Sequence, residues 1–193
     1  ITGGSGSGKT SVSKMLEKLG VHIIDTDVIA HEIVEPNSDC LNELVDYFGD
    51  SILNDDKTLN RKKLASIAFS DKQKTEALSN ITHKYIKAEV VKDINTTDAE
   101  LVGIDGAVII GSNVEPLCEF IVSVIADKQS RITRIKTRDN ITDEQAIQRI
   151  NAQNDDEFYK ENSMYIIYNN GDIAQLESDV VGLFNKIKGN SFE

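Results

Sequence analysis

Gly3-Gly4-Ser5-Gly6-Ser7-Gly8-Lys9-Thr10 fits the pattern G-x-x-x-x-G-K-[ST] without a gap, and its reading decides the fold. Ile1-Thr2 before it reads as the end of a strand. The first residue is isoleucine, not methionine, and that strand is expected to begin upstream of it. After the octapeptide, Val12, Met15, Leu16 and Leu19 form one helical stripe. The glycines let backbone N–H groups converge on an anion with no Cβ in the way. A helix opening near Thr10 adds unpaired N–H donors and the positive end of a dipole. In that setting Lys9 is expected to bridge the β- and γ-phosphates of a nucleotide, and the Thr10 hydroxyl to ligate Mg²⁺. The plainer alternative is a flexible Gly/Ser loop that matches by chance; the strand–loop–helix context weighs against it. The loop implies a nucleotide and leaves the reaction open.

Outward from the loop, segments alternate in type. Val21 to Asp25, Leu101 to Asp105, Ile121 to Ala126 and Met164 to Tyr168 read as strands. Helices are expected over Val28 to Val34, Leu41 to Phe48 (closed by Gly49), Arg61 to Phe69, Lys74 to Ile94, Lys128 to Arg138, from Thr142, and from Ile173 to Ile187. Thr142 with Gln145 forms a capping-box pattern. Strands separated by helices imply a parallel sheet covered on both faces. The helical block from Asn37 to Asn95 interrupts the alternation and reads as an inserted subdomain that recognises substrate.

The chain has 193 residues, which suits one domain on the usual scale of roughly 100–200 residues each. With 39% hydrophobic residues it has material for a core, and no apolar run approaches a membrane span. No signal peptide is visible, and a cytoplasmic protein is expected. The net charge of −11 argues against general nucleic-acid binding, which depends on neutralising phosphates. It still permits a small anionic ligand held by a local nest of donors. Cys40 and Cys118 are far apart and read as reduced thiols; with only three scattered histidines, no zinc site is expected.

Two further groups of residues carry chemistry. Asp25-Thr26-Asp27 closes the second strand, at the end that faces the ligand crevice in a parallel sheet. A carboxylate there could take a proton from an acceptor hydroxyl or help to hold Mg²⁺. The plainer role is that Asp27 caps the helix beginning at Val28. Arg131, Arg134 and Arg138, spaced three then four, line one side of a helix, and Arg149 and Gln153 follow one turn apart. Guanidinium groups around a loop suit a lid over transferring phosphate; the plainer role is a solvated face paired with Asp127, Asp139 or Asp143.

Together these residues resemble the dephospho-coenzyme A kinase family over nearly the whole chain, from Ile1 to about Leu183. The loop Thr2 to Thr10, the acidic stretch Ile24 to Ala30, Leu59-Asn60-Arg61 and Ile81-Thr82-His83 each look like a family motif. So do Arg134 to Asp139, Gln148 to Gln153 and Asn169-Asn170-Gly171. The resemblance implies an α/β fold, specifically a three-layer P-loop kinase fold with a central parallel sheet. It places an inserted helical substrate-binding subdomain at about 37–95 and a lid at about 136–153, all in one domain spanning 1–193. One stretch departs from the pattern. After the third strand the family usually has a proline and a glutamate where this chain has Ala107 and Gly111, and it has a proline where Lys84 stands here.

The resemblance implies in-line transfer of the γ-phosphoryl of ATP to the 3′-hydroxyl of dephospho-coenzyme A, the last step of coenzyme A biosynthesis. Asp27, Lys9 and Arg138 are then the expected catalytic residues. Gly4, Ser5, Gly6, Ser7, Gly8, Lys9, Thr10 and Ser11, with Arg138 and Asn170, are expected to bind ATP, and Thr10 to hold Mg²⁺. Asp25 or Asp105 would support the metal through water. Asp25, Asp27, Arg61, His83, Lys87 and Arg149 are expected to bind the acceptor. The partner is a small molecule, without nucleic acid or membrane, and the chain a monomer or weak homo-oligomer. Another P-loop kinase of nucleoside monophosphate or shikimate type, or a nucleotide-binding regulatory module with little activity, are the alternatives.

Overall fold

A computed structural model describes residues 1–190. The elements follow in the order α1 (Lys9–Lys18), β1 (His22–Asp25), α2 (Thr26–Glu32), α3 (Asp39–Phe48), α4 (Arg61–Ala68), α5 (Lys72–Thr96), β2 (Val102–Asp105), β3 (Val122–Ile125), α6 (Lys128–Asp139), α7 (Asp143–Asn151), α8 (Asp156–Glu161), β4 (Tyr165–Tyr168) and α9 (Ile173–Asn190). They form two compact units, one of Ile1–Ile24 with the chain from Thr97 onward, the other of Asp25–Thr96.

In the first unit, Ile1 and Thr2 stitch the strands into one sheet. Ile1 N donates to Ile104 O at 2.6 Å, and Gly106 N to Ile1 O at 3.1 Å. On the other side Thr2 N donates to Val122 O and Val124 N to Thr2 O, both at 2.9 Å. β1 pairs with β2, and β3 runs parallel to β4 with Val122 opposite Tyr165 and Ile125 opposite Tyr168. The order is therefore β1, β2, Ile1–Thr2, β3, β4. All four residues of β3 are buried, as a strand covered on both faces requires. Ten-residue helices are marginal alone, so α1 owes its order to packing: Val12 and Leu16 join Val124, Ile167, Leu176 and Val180 in one core. The fold is mixed α/β with parallel strands.

The second unit is helical. α2, α3 and α4 each pack on α5, whose 25 residues make it the longest helix described. Leu41, Leu44, Ile52, Leu64, Ala68, Ile81 and Val90 are buried there. Between α3 and α4 the chain makes a short 3₁₀ turn at Asp50–Ile52 and an antiparallel bridge from Leu53 to Leu59. Among the described residues, no helix is long and apolar enough to cross a membrane.

Elements fall close to the expected places. Some differences have local causes. α2 begins at Thr26, two residues early, because Asp25 supplies its cap. The six-residue α8 and the 3₁₀ turn at Glu115–Leu117 are too short to show helical periodicity and were not expected.

Candidate functional site

The phosphate loop runs from the sheet into α1 and is held from outside by its carbonyls. Arg131 Nε donates to Ser5 O at 2.9 Å. Arg134 Nη1 donates to Gly6 O and Ser7 O, both at 3.2 Å, and its Nη2 to Asn169 O at 3.0 Å. The buried Asn169 side chain donates from Nδ2 to Ser7 O at 2.8 Å. Ser5 N donates to Gln153 Oε1 at 2.7 Å. With these carbonyls taken by cations and amides, the loop leads into the N-terminus of α1, whose first-turn N–H groups and dipole favour an anion. Gly8 caps that helix with φ +102°, a conformation L side chains rarely adopt, and a Cβ there would collide with Asn169 Nδ2. Gly4 and Gly6 likewise let Arg131 and Ile135 pack directly against the loop, where a Cβ would collide with them.

Lys9 and Asp105 add opposite charges beside the cradle. Lys9 Nζ lies 3.9 Å from Asp105 Oδ1, at the end of β2. Ser13 Oγ, one turn along α1 from Lys9, donates to Asp105 Oδ2 at 2.8 Å. Thr10 and Ser11 are exposed on the first turn of α1.

α6 and α7 form a hairpin around Ile132, Ile135, Ala146 and Ile150. The capping box at Thr142 and Gln145 is present as the sequence implied. Near the tip, Arg138 donates to both oxygens of Asp139, at 2.7 and 2.9 Å, and Arg149 pairs with the same carboxylate. The Arg138 hydrogen bonds, helped by Arg149, hold the Asp139 carboxyl down at about 2.

In the helical unit, Asn60 caps α4 by accepting from Lys63 N at 3.0 Å, which places Arg61 at the first helical residue. Arg61 Nη2 lies 2.9 Å from His31 Nδ1. Arginine only donates, so this ring nitrogen accepts. Arg61 and His83 line a cleft of about 290 Å³ together with Ala30, Val34, Leu64, Phe69 and Ile86. Lys87 follows His83 by one turn of α5. The cleft offers an apolar wall with a cation at its rim, which suits an anionic molecule carrying an apolar arm.

Comparison with known proteins gives these sites a family. The sequence model of the dephospho-CoA kinases matches residues 1–175. The chain belongs to that family. A dephospho-CoA kinase of Lactobacillus johnsonii is 34% identical over 190 residues, 97% of this chain and 96% of the relative. One from Listeria monocytogenes is 34% identical over 193 residues, 98% and 96% of the two chains. A dephospho-CoA kinase structure from Campylobacter jejuni superposes with a TM-score of 0.70 at 26% identity, covering 98% of this chain and 96% of that one. A Thermus thermophilus protein shares the fold, with a TM-score of 0.83 at 24% identity and coverage of 96% and 95%.

Within this family member, the expected residues are placed as follows. Gly4 to Ser11 form the loop and the start of α1, with Lys9 beside Asp105. Asp25, not Asp27, is the cap of α2: its Oδ1 accepts from Asp27 N at 2.8 Å and Val28 N at 3.1 Å. Asp27 is exposed on the first turn of α2. Arg138 and Arg149 meet at Asp139. Asn170 Oδ1 accepts from Asp127 N at 2.8 Å, at the start of α6, while the neighbouring Asn169 is the one that holds the loop. The roles of Asn169, Arg131 and Arg134 on the loop carbonyls were not foreseen. The departure at Ala107 to Gly111 forms a turn in which Gly111 N donates to Glu115 Oε2 at 2.5 Å, and Gly111 has φ +77°. Cys40 and Cys118 are free thiols, and burial pushes Cys40 up to about 11, which leaves it a poor nucleophile.

Proposed function

We propose that this chain transfers the γ-phosphoryl group of ATP to the 3′-hydroxyl of dephospho-coenzyme A, completing coenzyme A. The observation that carries this reading is the glycine loop ahead of α1, its carbonyls held by Arg131, Arg134 and Asn169, in a member of this family. The whole 1–193 is one three-layer P-loop kinase domain, with the acceptor-binding insertion at about 37–95 and the lid at about 136–153. It acts in the cytoplasm on small molecules alone, as a monomer or weak homo-oligomer.

Phosphoryl transfer passes through a loose transition state, so positioning and charge stabilisation dominate catalysis. The segment from Gly4 to Ser11 binds the phosphates and Lys9 neutralises the β- and γ-oxygens. Arg138 leaves Asp139 to reach the transferring group, and Asn170 lies by the base. Asp27 accepts the proton of the attacking hydroxyl. Arg61, His83, Lys87 and Arg149 hold the anionic acceptor, with Asp25 fixing the first turn that carries Asp27. Mg²⁺ is implied, and oxygen donors that suit a hard cation are present: the exposed Thr10 hydroxyl would hold it, with Asp25 or the Asp105 carboxylate, held by Ser13, supporting it through water. When bound, it would neutralise charge between the β- and γ-phosphates.

The test is ADP release from Mg-ATP with dephospho-coenzyme A, beside AMP, CMP and shikimate. Stimulation by dephospho-coenzyme A alone is expected. Stimulation by another acceptor would move the chain to another kinase reaction; nucleotide binding with no stimulation would make it a regulatory module.

A further inference from the structure

Arg131 is a cation with little compensation, buried behind an anion cradle. The residue is 5% exposed. Its Nε donates to Ser5 O at 2.9 Å, and its Nη1 lies 3.5 Å from Asp156 Oδ1, a carboxylate whose side chain is 41% exposed. Its buried Nη2 has no hydrogen-bond partner. That nitrogen occupies the place where a Cβ on Gly4 would stand, so the guanidinium lies directly against the loop. A buried charge with an unmet N–H is costly unless an opposite charge completes it. One long contact to a half-exposed carboxylate is a weak counterweight, and the protein as a whole is acidic. The missing negative charge belongs on the other side of the loop.

We propose that Arg131 is a positioning residue for the nucleotide. It fixes the Ser5 peptide from behind, opposite Gln153 on the Ser5 N–H, and its charge is completed by the polyphosphate that enters the cradle. Asp156, 3.5 Å from Nη1, competes with the polyphosphate for that charge. The inference rests on the kinase reading only in taking the polyphosphate to be ATP.

The experiment measures ATP affinity by calorimetry without acceptor, then KM and kcat for each substrate, in the wild type, Arg131→Gln, Arg131→Lys and Asp156→Asn. Arg131→Gln is expected to weaken ATP binding and raise its KM by roughly 3- to 10-fold, the scale of one lost net hydrogen bond in the loop's support, with the acceptor KM little changed. Arg131→Lys keeps the charge, loses the Ser5 bond and should recover part of the affinity. Asp156→Asn removes the competing anion, so ATP should bind at least as tightly and raise the melting temperature by more than in the wild type. If Arg131→Gln fails to fold, the lysine and Asp156 variants decide. Unchanged ATP affinity in Arg131→Gln, or weaker ATP binding in Asp156→Asn, overturns the inference. Wild-type protein that does not bind ATP would instead overturn the kinase reading.

Discussion

Replacing Gly8 by alanine tests how the loop is held. Gly8 sits at φ +102°, and an alanine there costs about 1–2 kcal/mol of backbone strain. The added Cβ also collides with Asn169 Nδ2, which donates to Ser7 O at 2.8 Å in a buried setting. Breaking that bond leaves buried polar groups unmet, at about 1–3 kcal/mol. The expected loss is thus about 2–5 kcal/mol, against a typical total of about 5–15 kcal/mol. For a chain of this size that lowers Tm by roughly 5–20 °C. Urea denaturation of Gly8→Ala, Asn169→Ala and the double variant separates the two parts. If Asn169 is what the methyl meets, the double variant is less destabilised than the sum of the singles by at least about 1 kcal/mol. Additive costs, or a Gly8→Ala penalty under about 0.5 kcal/mol, would refute the proposed clash.

Other perturbations read different parts of the molecule. Lys9→Ala and Asp27→Asn should each lower kcat by about 10²–10⁴-fold with circular dichroism unchanged, and a normal kcat in Asp27→Asn would remove it from the base role. Arg61→Ala should raise KM for the acceptor with kcat closer to normal, and His31→Phe, which removes the Nδ1 acceptor at 2.9 Å, should do so more weakly; a change confined to KM for ATP would refute this placement of the acceptor. The Asp139 carboxyl is held at about 2, so its pairing with Arg138 and Arg149 contributes stability that is full above the ordinary carboxylate value and is lost as pH falls from about 4 towards 2. Carbon-detected NMR titration should find it ionised at pH 3, and a midpoint near 4 would contradict the bridge.

The parts of this protein that were legible in sequence are those where spacing admits one geometry. G-x-x-x-x-G-K-T needs a tight turn and a helix start, and Thr142 with Gln145 needs a capping box; both are there. Arg131, Arg134 and Arg138 share a spacing that fits a solvated face and a loop-facing one equally well. Their burial, from 5% exposure at Arg131 to an exposed Arg138, is set by the partner surface and not by the helix itself. Asn169 and Asn170 are chemically identical neighbours in a turn, and only the direction of each side chain decides which reaches Ser7. Asp25 and Asp27 posed the same problem for the α2 cap. The pairing of Lys9 with Asp105 spans most of the sheet's chain length and leaves no local pattern.

The carbonyl anchors explain how an acidic chain can hold a polyanion. A flexible glycine loop would turn its carbonyls towards and away from the ligand with similar ease, and ordering it would then weaken binding. Here Ser5, Gly6 and Ser7 carbonyls are taken by Arg131, Arg134 and Asn169, so their negative ends are turned to these donors. The ordering cost falls on folding, and the field at the phosphates is set in advance. These anchors come from α6 and the turn after β4, whereas Ala107 and Gly111 lie in the turn after β2 and make none of these bonds. The departure from the family pattern therefore leaves the carbonyl anchors of the glycine loop intact.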